Sequence, residues 1–160
     1  MLTKLIALII LLLLTCTING MFRLNNIADL DTIPHIFAPS STKSTSPHII
    51  LEWGALGLEG KEGSSSQLAD SSIQLLNAYN VAILSPSAIH APQFSGSIIY
   101  YNDQSPKEAV LLWLRSFQSL TRVAFIGRSL DEVLSAHSIC ASDRRVQEYY
   151  GIVMTPNHKP

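Results

Sequence analysis

The feature that most constrains this chain is a repeated alternation. Short, wholly apolar runs are separated by segments with helical periodicity. Ile49-Ile50-Leu51, Val81-Ala82-Ile83-Leu84 and Val123-Ala124-Phe125-Ile126 are brief and rich in branched side chains. Runs of this kind suit strands buried on both faces of a sheet, because a strand with one wet face alternates apolar and polar residues. Between them lie helical patterns. Leu68, Ala69, Leu75, Leu76 and Tyr79 recur near a 3.6-residue period, and Ser64 with Gln67 has the spacing of a capping box. Ser105-Pro106-Lys107-Glu108 reads as a helix start, followed by the stripe Val110, Trp113, Leu114 and Phe117, with Ala109 and Leu112 widening it. Leu130, Val133, Leu134 and His137 share one face of a third helix. Residues 97–101 suit an extra strand or a packed loop. Residues 146–154 suit a fourth strand weakened by Gly151. The fold class expected from this order is α/β, a parallel sheet with helices on both faces. The long segment 85–104 is unusual for a structureless loop unless it serves a site.

The chain has 160 residues and a formal net charge of -1, enough for one domain with a real core. Its basic residues are scattered, with only Arg144 and Arg145 adjacent, which excludes a nucleic-acid footprint. Residues 1–20 stand apart. Lys4 precedes an apolar run from Leu5 to Leu14 that continues to Ile18. The pattern is that of a signal peptide or a hydrophobic anchor helix, so a secreted, periplasmic or membrane-anchored protein is expected. The run is shorter than the roughly 20 residues of a spanning helix. Residues 21–47 read as a lead-in ending in a Pro- and Ser-rich linker, and 48–160 as the folded domain. With the leader removed, Cys140 is the remaining cysteine. No disulfide framework, metal-ligand spacing or cofactor is expected. Gly54, Gly57, Gly60 and Gly63 match neither G-x-G-x-x-G nor a phosphate-binding P-loop.

The densest chemical signal is Arg122-Val-Ala-Phe-Ile-Gly127-Arg128-Ser129-Leu130-Asp131. A strand enters a glycine, and a serine opens the next helix. This has the outline of a nucleophile elbow, which lifts a hydroxyl clear of the sheet and aims free helix N–H groups at an oxyanion. The motif is G-x-S-x-G, and Asp131 occupies the last glycine position. The other reading of Ser129 is a helix cap.

Together with that elbow, Trp53-Gly54-Ala55-Leu56-Gly57-Leu58 after the first strand, Val81 to Pro86, and the helix Ala109 to Ser116 resemble the front half of an α/β-hydrolase. The likeness is to dienelactone-hydrolase-type esterases and spans residues 48–155. It implies a partial three-layer sandwich and ester hydrolysis through a Ser129 acyl-enzyme, with backbone N–H groups of Leu130 and of Ala55 or Leu56 as the oxyanion hole. Trp53 stands where the family usually has histidine. The family's acid and histidine follow later strands, so the resemblance implies a truncated or divergent relative.

Candidate bases are few. His35 and His48 precede the site, and His90 lies in the long loop. His137 is eight positions beyond Ser129, or ~12 Å at ~1.5 Å per residue, too far for direct proton transfer. His158 is the one histidine after the last strand and the weak candidate base. Asp143 reads as a turn residue. Glu52 ends the first strand beside the oxyanion loop, within reach of a site or of an arginine. Arg128 suits an anionic substrate or an ion pair. Two further readings stay open. One is a non-catalytic hydrolase remnant that binds or self-associates through an exposed sheet edge. The other is a flavodoxin-like doubly wound domain with its ligand at the carboxyl ends of the strands.

Overall fold

The computed structural model describes residues 21–38, 46–56, 70–101 and 106–154. Six strands form one sheet: β1 (Met21–Ile27), β2 (His48–Glu52), β3 (Asn80–Ser85), β4 (Ser97–Tyr100), β5 (Arg122–Gly127) and β6 (Glu148–Met154). Their order is β1-β6-β5-β2-β3-β4, and every neighbouring pair is parallel. The helices are α1 (Ile33–Ile36), α2 (Asp70–Asn77), α3 (Pro106–Arg115) and α4 (Leu130–Ala141). The α/β class expected from the alternation is present. Residues 1–20, where a leader helix was expected, lie outside the described residues. No described helix is long and apolar enough to cross a membrane.

The pleat divides the core in two. Ile49 and Leu51 of β2 point into a cluster with Ile73, Leu76 and Tyr79 around α2. Ile50, between them, points into the opposite cluster with Val110 and Leu114 of α3 and Val133 of α4. All three β2 side chains are fully buried, each stabilising the fold by about 1.5–3 kcal/mol. That two-sided burial is why β2 reads as an unbroken apolar run.

Residues 21–27, assigned by sequence to the lead-in, form the edge strand of this same sheet, with Met21 opposite Glu148 and Ile27 opposite Met154. Ile27, Leu30, Ile33 and Phe37 join the α2-side cluster, and Tyr79 Oη donates a buried 2.7 Å hydrogen bond to the Phe37 carbonyl. Across the sheet, the Phe22 ring stacks on Tyr149 at 5.5 Å. The segment between β3 and β4 is held by Asn77 at the end of α2. Its side chain donates to the Gln93 carbonyl (2.9 Å) and accepts from the Ser95 backbone N–H (2.8 Å). Ser46 and Pro47, at the end of the expected linker, are already buried. Residues 39–45, the expected capping pair Ser64 and Gln67, and Ser105 lie outside the described residues.

The topology selects one end of the sheet. From β2 the chain moves outward to β3 and β4, then restarts at β5 and moves the other way to β6. β2 and β5 are therefore adjacent strands whose following helices cover opposite faces. In open parallel sheets such a switch point leaves a crevice at the carboxyl ends of the strands, because the two connections diverge there.

Candidate functional site

A cleft of about 280 Å³ lies at that end. Leu84, Val110, Phe125, Ala136 and Ile139 supply apolar wall, with Tyr101 and Pro106 at the entrance to α3. Glu52 ends β2, Arg128 follows β5, and Glu132 lies in the first turn of α4; all three line the same space. Arg128 Nε stands 3.8 Å from Glu52 Oε1 and 3.6 Å from Glu132 Oε1. The side chains are 11% exposed for Glu52, 33% for Glu132 and 51% for Arg128, so the deepest charge is a carboxylate.

Gly127 permits that arrangement. A Cβ there would stand 3.3 Å from Glu52 Oε2 and 2.8 Å from the Phe125 ring. The glycine before the expected elbow therefore gives room to Glu52 as well as turning the chain.

Ser129 is the N-cap of α4. Its Oγ accepts from the Glu132 backbone N–H (3.4 Å), and Glu132 Oε2 accepts from the Ser129 N–H (3.2 Å). This reciprocal pair is a capping box, satisfying two donors that the helix leaves open. The Ser129 backbone lies at φ -135 and ψ 154, ordinary extended geometry. A nucleophile elbow is a sharp, strained turn, and this residue carries no such strain. Asp131 and Glu132 both sit in the first turn of α4, where carboxylates complement the helix dipole and repel a developing oxyanion. Leu130 opens α4 with its side chain exposed, whereas Ala55 is buried in the cluster on the other face of the sheet.

Among the described residues, the Ser129 side chain hydrogen-bonds to Glu132 and to no histidine. His48 is buried against Phe117, ring centroids 4.2 Å apart, and Trp113, at 6.0 Å. His137 packs on Phe22 at 4.8 Å and Tyr149 at 5.0 Å. Burial lowers the pKa of both below the ordinary 6.5, and the Arg145 charge lowers His48 further. His35 and His90 are exposed, and His158 lies outside the described residues. Asp143 is a turn residue whose carboxylate holds Arg145 in a fork at 2.9 and 2.5 Å. Cys140 is fully buried, and burial followed by the Asp143 charge pushes its thiol up to about 12. It is a packing residue and not a nucleophile. Among the described residues, no group of three or more His, Cys, Asp or Glu side chains is placed to hold a metal ion. Of the glycine series, Gly54 lies in the turn Trp53–Leu56; Gly57, Gly60 and Gly63 are outside the described residues.

Sequence alone points to Glu52 and Arg128 but not to Glu132. The signal for Glu132 was present, since Ser129-Leu130-Asp131-Glu132 has the Ser-x-x-Glu spacing of a capping box. Removing the cap in Ser129→Ala should destabilise the domain by about 1 kcal/mol. Urea unfolding of the variant measures this, and an unchanged midpoint would show that the box contributes nothing. No protein-family model, curated protein or solved structure matches this chain.

Proposed function

We propose that this chain is a doubly wound α/β binding domain that holds a small molecule, without covalent chemistry, in the cleft at the carboxyl ends of β2 and β5. The observation that carries the reading is a cleft, walled by α3 and α4 on one face of the sheet, that takes in the ends of β2 and β5 at the switch point. Apolar walls and a few convergent polar groups are the usual make-up of a ligand site. The volume lies just under the ~300–1,000 Å³ of typical ligand pockets, which favours a compact ligand. Ligand-detected NMR against a fragment collection tests this. Wild type should bind a subset of fragments, and Ser135→Trp, which fills the cleft from a half-buried position on α4, should lose them. Fragments retained by Ser135→Trp would place binding elsewhere.

A serine ester hydrolase of the α/β-hydrolase kind is the second reading. Its support is the position of Ser129, at the start of the helix after a central strand, with the turn Trp53–Leu56 following the neighbouring strand. The capping box, the unstrained backbone and the packing of the His48 and His137 rings against other aromatic rings weigh against it. A fluorophosphonate probe should leave the folded protein unlabelled; labelling lost in Ser129→Ala would restore the hydrolase. Export or anchoring through residues 1–20 is a separate proposal, tested by whether the full-length chain fractionates with membrane or culture medium and not with cytosol.

A further inference from the structure

The cleft has chemistry enough to name the class of ligand, given that it is a ligand site as proposed above. We infer that it takes a small organic cation with an apolar body, such as an arylalkyl or alkyl ammonium, with Glu52 as the principal counter-charge. The lining divides into two parts. Leu84, Val110, Phe125, Ala136 and Ile139 offer an apolar surface with no charge to solvate. Glu52, Arg128 and Glu132 stand together at the strand ends. Among the described residues of this group, two carboxylates face one guanidinium.

Position matters more than count. Glu52 is the deepest of the three and Arg128 the most exposed. Charge interactions strengthen as water is excluded, so an entering ligand meets the carboxylate at full strength and the guanidinium in a screened setting. Arg128 is also the group best able to swing aside, being half in solvent on a flexible stem, whereas Glu132 is held by its bond from the Ser129 N–H. An ammonium entering beside Glu52 replaces one cation with another, leaving the carboxylate compensated. Among the described lining residues, a carboxylate or phosphate ligand meets two carboxylates and has the exposed Arg128 as its cation. The acidic first turn of α4, Asp131 and Glu132, further cancels the attraction that a helix N-terminus otherwise has for anions. The same chemistry disfavours a dinucleotide pyrophosphate here, although the sheet order suits one.

Three probes with one apolar body decide the matter: 4-phenylbutylammonium, 4-phenylbutanol and 4-phenylbutyrate, titrated into the full chain by NMR or calorimetry. The ammonium should bind at least about tenfold more tightly than the alcohol, the scale of one charge-assisted contact, and the carboxylate more weakly than both. Glu52→Gln should remove the ammonium's advantage and leave the alcohol unchanged, while Arg128→Gln should tighten the ammonium several-fold by removing its competitor. The alcohol's unchanged binding shows that each variant is folded. Equal binding of ammonium and alcohol, or tightest binding of the carboxylate, overturns the charge inference and leaves the cleft as a site. Failure of all three probes, with no fragment lost in Ser135→Trp, overturns the cleft reading itself.

Discussion

Gly151→Ala should destabilise the domain by about 2 kcal/mol, the scale of an overpacked core. Gly151 lies in the middle of β6, between β1 and β5, and is buried. A Cβ there would stand 2.3 Å from Val133 Cγ1 and 3.2 Å from the Phe22 ring. Val133 is fully buried in the first half of α4, so it has no open space to move into. In sequence this glycine looks like a weakness in a strand; in the fold it is where α4 descends onto the sheet. The same close approach lets Tyr149 Oη reach the Val133 carbonyl at 2.6 Å. The check is chemical denaturation of Gly151→Ala, Val133→Ala and the double variant. The double should be more stable than the sum of the single losses implies, because the small residue at 133 accepts the new methyl. Strict additivity would show that the contact is not what constrains position 151.

Arg145→Ala should cost about 2–3 kcal/mol and raise the pKa of His48. Besides gripping Asp143, Arg145 donates through Nη1 to the Phe117 carbonyl (2.5 Å) and through Nη2 to the Leu114 carbonyl (3.2 Å). These carbonyls lie at the end of α3 and just beyond it, so the guanidinium caps that helix from the turn before β6. Its loss takes the guanidinium donor from the Phe117 and Leu114 carbonyls, the latter keeping the Phe117 N–H, and leaves Asp143 uncompensated. Asp143 is held below the usual carboxylate range chiefly by its side-chain bond to Arg145, so it stabilises the fold above that range and stops doing so as acid protonates it. The histidines act in the same direction. With folded pKa values below 6.5, His48 and His137 make the unfolded chain bind more protons as pH drops through that value. Stability should therefore fall from about pH 6.5 downward. In Arg145→Ala the His48 ring resonance should titrate at a higher pH than in wild type, by loss of the Arg145 charge, while His137 should not move. A shift of both, or of neither, would show that Arg145 does not act on His48 through its charge.

How much was legible in the sequence follows from how local each feature is. β2, β3 and β5 announce themselves because burial on both faces demands an unbroken apolar run, and no helix of that length is worth forming alone. β1 does not. Met-Phe-Arg-Leu-Asn-Asn-Ile is an edge strand with Phe22 and Leu24 exposed on one face, and only its pairing with β6 identifies it. The candidate site divides along the same line. Glu52 is visible as a carboxylate ending a buried strand. Glu132 enters the cleft because the Glu132, Ser135 and Ile139 flank of α4 faces the cleft, a fact of packing. Ser129 is the instructive case. A glycine, a serine and a following helix are common to a nucleophile elbow and a capped helix. What separates them is a backbone angle and the partner of one hydroxyl, here extended geometry and the Glu132 N–H. Neither is written in residue spacing.

Ligand binding at the ends of β2 and β5 is tested most directly by an amide chemical-shift map of the ¹⁵N-labelled chain, titrated with the fragments it binds. Perturbations should concentrate on Glu52, on Gly127 through Glu132 and on Ser135 through Ile139, the amides around the cleft at the ends of β2 and β5. Perturbations confined to the opposite ends of the strands, or to the exposed face of β1 beside α4, would contradict it.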